Sequence, residues 1–372
     1  MNSLFRVILA ILISFVLAPA RAADSPRQLK TRNLILITTD GLRWQEVFAG
    51  AESALMNKEY GGVENTNALR EAFWRATPEA RREALMPFFW SMIAKQGLIL
   101  GNKDKGSVVK VSNGLNFSYP GYNEILTGIP DPRIDSNDKK PNPNVSVLEW
   151  LNQKPDFKGR VAAFCAWDVF PYILNRDRNG LLVRAGWEPM AVGQSNPQRE
   201  LLNQLVEETT PMWEGVIYDS LMFRGAFDYF KEAKPRMFYL AFGETDDWAH
   251  EGRYDHYLRA ARRVDDYIKL LWETVQSLPE YRGRTTFIIT TDHGRGAGTA
   301  EWKDHGKKVN GSDFIWLAAL GPDTPASGER TNTEPLTQSQ VAGTVAALLG
   351  EDYANAFLQA GKPVRELMSM SK

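Results

Sequence analysis

A chain of 372 residues is long enough to bury a large core, and its apolar and charged fractions, 43% and 24%, are those of an ordinary globular protein. A formal charge of −1 without any Lys/Arg-rich run argues against a nucleic-acid polymer as partner. The single cysteine, Cys165, excludes an intrachain disulfide, and its apolar setting in Val161–Cys165 marks it as a small core residue.

The first residues read as an export signal. Arg6 precedes the apolar run Val7 to Leu17, and Ala20-Arg21-Ala22 supplies a small-x-small cleavage site. The run is short for a membrane span, so an uncleaved anchor is the weaker reading. Cleavage after Ala22 would remove Arg6 and Arg21, taking the formal charge from −1 to −3. No stable membrane span is then expected, and the address is the periplasm or the secreted medium. Residues 23–372 should form one α/β domain, with residues of about 168–230 inserted over its sheet.

The first strand, Asn33 to Thr39, is apolar and ends at Asp40-Gly41. A helical stretch follows from about Asn67 to Lys95, with Phe73, Leu85, Phe88 and Met92 at helical spacing. Residues 108–120 run from a strand into a loop. Ser118 then stands where an N-cap would, Pro120 suits a first helical turn, and Gly128 suits a helix stop. Residues 129–145, rich in Pro, Asn and Asp, read as surface loop. A short helix, 145–152, and a buried strand, 160–167, come next.

Beyond the least readable part, 168–230, a strand at 237–243 leads into Glu244-Thr245-Asp246, and His250 follows four residues after Asp246. Residues 253–277 form an amphipathic helix with Leu258, Ala261, Val264, Ile268, Leu271 and Val275 as its apolar stripe. Another buried strand, 285–291, stops at Asp292-His293-Gly294. A polar loop carries His305, 314–320 is a last strand, and 338–349 a last helix. The alternation predicts an α/β fold with a mainly parallel central sheet and helices on both faces.

Three strands therefore end in carboxylates, and in open α/β sheets that end carries ligands. Asp246 and His250, four apart on a helical turn, face the same way. Asp292 and His293 are adjacent where strand turns to loop. With Asp40 and His305 these residues supply three carboxylates and three imidazoles, enough for two zinc-like ions with open positions. Such a pair can clamp the attacking and leaving oxygens of a displacement at phosphorus. Ser118 is the candidate nucleophile and a possible metal contact, since coordination activates a hydroxyl. The competing readings are helix capping, by Ser118 and by Asp292.

In order, these segments resemble the alkaline phosphatase superfamily, nearest its type I phosphodiesterase/nucleotide pyrophosphatase branch. Asp40-Gly41, Ser118-Tyr119-Pro120 through Thr127-Gly128, Glu244-x-Asp246-x-x-x-His250, Asp292-His293-Gly294 and His305-Gly306 carry the likeness over about 33–350. The resemblance implies an alkaline-phosphatase-like fold. It places Asp246, His250 and His305 on one divalent ion, and Asp40, Asp292 and His293 on another, with Ser118 near both. Zinc is the expected metal, with manganese as the alternative. His256 matches no motif and reads as structural. Asp247 and Asp304 are taken as non-ligands, and Glu244 as a support for its neighbours.

The implied activity is hydrolysis of a small-molecule phosphate ester, mono- or diester, through a phosphoseryl intermediate. A sulfatase or phosphomutase of the same superfamily is the alternative, and a non-catalytic metal-binding protein a weaker one. Sulfatases of the superfamily carry C/S-x-P-x-R; here Tyr122 stands at the Arg position, against a formylglycine route. Ser118 and Gly121 depart from the Thr and Asn of the diesterase branch, which leaves monoester against diester open. Asn137, Asn142 and Asn144 are the candidates for a phosphate-binding amide.

Overall fold

In the computed structural model, which describes residues 29–368, all of β1 (Asn33–Thr39) is buried, and its two parallel neighbours set the architecture. The remaining strands are β2 (Leu98–Leu100), β3 (Val109–Lys110), β4 (Val161–Cys165), β5 (Leu182–Ala185), β6 (Met237–Phe242), β7 (Thr285–Thr290), β8 (Phe314–Ile315), β9 (Leu317–Leu320), β10 (Gly328–Glu329) and β11 (Leu336–Thr337). Eight of them form one sheet in the order β10-β2-β9-β7-β1-β6-β4-β5; β11, β3 and β8 form a small second sheet. In the large sheet only β9 runs antiparallel to its neighbours.

Side chains alternate across a pleated strand, so each central strand feeds two cores. Ile35, Ile37, Leu240 and Phe287 face one, packed by the Tyr254–Ser277 helix and the Asp219–Ala233 helix. Leu34, Leu36, Tyr239 and Ile288 face the other, covered by the Ser118–Thr127, Val147–Asn152 and Gln340–Leu348 helices. Helices thus cover both faces of a mainly parallel sheet. Cys165 is free and buried in the second core.

Several boundaries differ from the sequence expectation. The long helix over 67–95 is two helices, Thr66–Phe73 and Pro78–Leu85, followed by a π-type turn at Phe89–Ile93. Trp74 is extended, Thr77 caps the second helix, and Pro78 and Pro87 cannot continue an i→i−4 ladder. The strand over 314–320 divides at Trp316, whose indole donates to the Leu42 carbonyl at 2.9 Å; its two halves belong to different sheets. Of residues 168–230, β5 is the edge of the main sheet and the Asp219–Ala233 helix covers one face, so this region builds the sheet as well as overlying it. The export signal expected over 1–22 lies outside the described residues. Among the described residues no helix is long and apolar enough to cross a membrane.

One buried carboxylate organises the approach to Ser118. Glu124, on the Ser118–Thr127 helix, accepts from the backbone and hydroxyl of Ser112, the backbone and amide of Asn113, and the backbone N–H of Ser339. Burial pushes its carboxyl up, while these donors favour the ionised form. Replacing Glu124 by Ala leaves one buried and four part-buried donors without their acceptor, and should cost about 2 kcal/mol or more. Urea unfolding of the metal-free protein measures this. Exposed Glu79→Ala is the control and should stay within about 0.5 kcal/mol of wild type.

Candidate metal centre

The register of the central strands converges the acidic residues. Thr39 pairs with Phe242 on one side, and Thr38 with Thr290 on the other. The chains leaving β1, β6 and β7 therefore emerge side by side at one edge. Asp40 follows β1, the Glu244–His250 helix follows β6, and Asp292-His293 follows β7.

Two groups of ligating atoms result. Asp40, Asp292 and His293 each bring one such atom within 4.8 Å of the others, as do Asp246, His250 and His305. In the first group His293 Nε2 lies 3.3 Å from Asp40 Oδ1 and 3.4 Å from Asp292 Oδ2. In the second, His250 Nε2 is 3.0 Å from His305 Nε2 and 3.2 Å from Asp246 Oδ2. Asp246 Oδ1 joins the groups, 3.7 Å from His293 Nε2 and 3.8 Å from His305 Nε2.

The donor set fits divalent ions. Asp40 Oδ1 and Asp292 Oδ2 are buried and have no hydrogen-bond partner, an arrangement a cation between them would resolve. Their other oxygens are occupied: Tyr122 donates to Asp40 Oδ2 at 3.0 Å, and the Gly41 N–H to Asp292 Oδ1 at 3.0 Å. The imidazoles are oriented from behind. His293 Nδ1 faces the Gly294 carbonyl at 3.0 Å and His305 Nδ1 the Asn116 carbonyl at 3.1 Å. Donation from Nδ1 points each Nε2 into the site, where a cation would take the place of any proton it carries.

The electrostatics of the two groups differ. Burial opposes charge on His293, but Asp292 and Asp40 outweigh it and push the imidazole up to about 9. Burial, and then Asp40, raise the Asp292 carboxyl. His250 and His305 are shifted downward by burial and then by His293, so both stay neutral. The first group therefore demands positive charge, and the second presents uncharged nitrogen ligands.

Ser118 adjoins the first group at His293. Phe117, not Ser118, is the N-cap of the Ser118–Thr127 helix, and its own side chain makes no capping bond. Ser118 is the first helical residue, almost fully buried, with Oγ 3.4 Å from His293 Nε2. Gly121 lets this helix approach the Asp292 carbonyl, which a Cβ there would strike. Nor does Asp292 cap a helix: one oxygen holds Gly41 and the other faces His293.

Among the three candidate amides, Asn137 is the one at the helix start: its Oδ1 accepts from the Tyr119 N–H at 3.0 Å. Asn142 is buried and donates to Asn123 and Ile173, and Asn144 donates to Asn123 and Asp131, so both brace loops instead. Glu244 touches no ligand. It accepts from Arg263, Trp248 and the Asp219 N–H, clasping the helix that carries Asp246 and His250. His256 lies apart, paired with Arg253 and packed on Trp248; Asp247 and Asp304 belong to neither group.

Sequence reasoning missed Arg295. It is fully buried and donates to Asp246 Oδ1, to the Gly41 carbonyl at 3.2 Å and to the Lys303 carbonyl at 2.5 Å. It ties the loop after β1, the ligand helix and the approach to His305 to the strand end that bears His293. A Cβ on Gly41, at φ 59°, would lie 2.8 Å from both Arg295 Nε and Asp246 Oδ1. The only signal was its place two residues after His293, where a charged residue on a buried strand end needs a carboxylate nearby.

No protein-family model and no curated protein sequence matches this chain. The fold has solved counterparts. The wild-type alkaline phosphatase PafA superposes with a TM-score of 0.55 at 12% identity, over 93% of this chain and 100% of that one. A 2-O GAG sulfatase, BT1596, gives 0.52 at 13% identity, over 92% and 75%. The lipoteichoic acid synthase LtaP from Listeria monocytogenes gives 0.52 at 12% identity, over 86% and 72%. Phosphatase, sulfatase and synthase are alike among these counterparts, so they select no branch. The chain has the fold of the alkaline phosphatase superfamily.

Proposed function

We propose that the chain is an exported hydrolase of small-molecule phosphate esters, with two divalent metal ions and a phosphoseryl intermediate. The observation that carries this reading is the position of Ser118. A helix-starting serine that caps nothing holds its Oγ 3.4 Å from His293 Nε2, a member of one of two carboxylate–imidazole groups suited to cations.

Asp40, Asp292 and His293 would hold one ion, and Asp246, His250 and His305 the other. Bound there, zinc or manganese would lower the pKa of the serine hydroxyl and offset charge on the attacking and leaving oxygens. The chain's own residues do the rest. Ser118 Oγ loses its proton to solvent water and forms a bond to phosphorus as the bond to the leaving-group oxygen breaks, the leaving group departing as an alcoholate that takes up a proton from solvent. Water then cleaves the phosphoseryl ester, returning the hydroxyl and releasing phosphate or a monoester. In the first turn of the Ser118–Thr127 helix the Tyr119 N–H is held by Asn137 and Pro120 has none, so the Ser118 N–H is the group left for the anion. The Asn137 carbonyl oxygen holds the Tyr119 N–H, which leaves its amide nitrogen for a phosphoryl oxygen.

Tyr122 favours phosphate over sulfate. In place of the arginine of a formylglycine motif, its hydroxyl is committed to Asp40 Oδ2 at 3.0 Å. An aryl phosphate or bis-aryl phosphate should be turned over faster than an aryl sulfate. A sulfatase rate above every phosphate rate, or formylglycine at position 118 by mass spectrometry, would select the sulfatase reading.

Two further outcomes test the proposal. Elemental analysis should find about two transition-metal ions per chain; chelation should abolish activity, and zinc or manganese restore it. His250→Ala and His305→Ala should each lower occupancy. Active protein free of bound metal is incompatible with the scheme. Ser118→Ala should fold and hold its metals, yet lose several orders of magnitude in rate. Ser118→Thr should be milder. A Ser118→Ala protein retaining most of its activity rules out the phosphoseryl route.

A further inference from the structure

Asn116 combines features that neither capping nor core packing explains. It is one of four described non-glycine residues with positive φ, at 56°, and it is nearly buried. Asparagine is enriched among non-glycine residues in this left-handed conformation, although here its amide bonds across the fold to Ser312 and not locally. The turn before it is fixed: Asn113 Oδ1 accepts from the Leu115 N–H at 2.9 Å and the Asn116 N–H at 3.2 Å, and Asn113 is itself held by Glu124. Phe117 then returns to extended backbone, and the helix of Ser118 begins.

Asn116 meets the His305 loop at two points. Its carbonyl faces His305 Nδ1 at 3.1 Å, and its Nδ2 donates to Ser312 Oγ at 3.3 Å. Ser312 in turn donates to the carbonyls of Gly306 and Val309, closing the loop that carries His305. Asn116 Oδ1 is buried and has no partner, so the side chain is not placed by a complete hydrogen-bond set of its own. What the left-handed backbone achieves is to turn the carbonyl onto the imidazole two residues before the nucleophile.

We propose that Asn116 is a positioning residue that couples the two halves of the site: its left-handed carbonyl fixes the Nδ1–H tautomer and ring orientation of His305 while its chain direction sets Ser118. This rests on the site reading given above, but its test has a part that does not. An L-residue such as alanine is strained at this φ, whereas glycine reaches it freely. Alanine and glycine lack the same amide and differ in backbone freedom.

The experiment compares Asn116→Ala with Asn116→Gly. Long-range proton–nitrogen NMR of the imidazoles in metal-free protein should show His305 held as the Nδ1–H tautomer in wild type and Asn116→Gly, and mixed in Asn116→Ala. In metal titrations with zinc, Asn116→Ala should lose about 10–100-fold in affinity for one of two ions, while Asn116→Gly keeps most of it. Activity should follow affinity, with kcat falling more than KM rises because Ser118 is displaced as well.

Equal behaviour of the two variants, or wild-type tautomer and affinity in Asn116→Ala, overturns the proposal. If Asn116→Ala fails to fold, Asn116→Gly and Asn116→Asp decide instead: both should keep the fixed tautomer, and its loss in either overturns the proposal. Wild-type protein that binds no zinc would overturn the metal reading alone, leaving the tautomer contrast to judge Asn116.

Discussion

The structure depends on the confinement of negative charge at the ends of three adjacent parallel strands. Asp40 and Asp292 are buried, and Asp246 is almost so, beside them. Carboxylates so close cannot remain ionised in a low dielectric without compensating positive charge. The polypeptide supplies part of it: Arg295 takes one oxygen of Asp246, and His293 is driven toward protonation. The two carboxylate oxygens left without partners, on Asp40 and Asp292, mark where the compensation stops. A fold that kept this arrangement for stability alone would do better with apolar residues of the same size.

Around that charge stands a frame of buried polar residues, each tying together elements far apart in sequence. Glu124 links the turn at 112–113 and the N–H of Ser339 to the Ser118 helix. Glu244, Asp219 and Arg263 clasp the start of the ligand helix to the helices covering that face. Arg43, paired with Glu46 and reaching the Gly296 carbonyl, supports the segment just past Arg295. Buried networks of this kind are costly unless complete, and complete ones hold side chains in single positions. That rigidity is what the proposed arrangement of six ligating residues and one hydroxyl requires.

Much of this was legible in the residues. The strands at 33–39, 237–242 and 285–290 announced themselves as apolar runs, because a strand buried on both faces leaves no place for polar side chains. Their terminal carboxylates and the histidines then gave the pool of ligating residues, and the family resemblance implied its division into two groups, which the geometry repeats. Other features were not legible because tertiary partners decide them. Ser118 looked like a cap, but the cap position falls one residue earlier, at Phe117, whose backbone alone starts the helix. Two-residue strands such as β8 and β11 exist only through their pairing with β3. Arg295 carries no pattern in sequence, since its carboxylate partner lies 49 residues away. Choosing Asn137 over Asn142 and Asn144 required knowing which amide reaches the helix start.

The central claim is that the strand ends form two cation sites flanking Ser118. Anomalous diffraction at the zinc edge from zinc-loaded crystals tests it most directly. The account predicts two peaks, one bracketed by Asp40, Asp292 and His293 and the other by Asp246, His250 and His305, with Ser118 Oγ beside them. A single peak, or peaks away from these six residues, would contradict it.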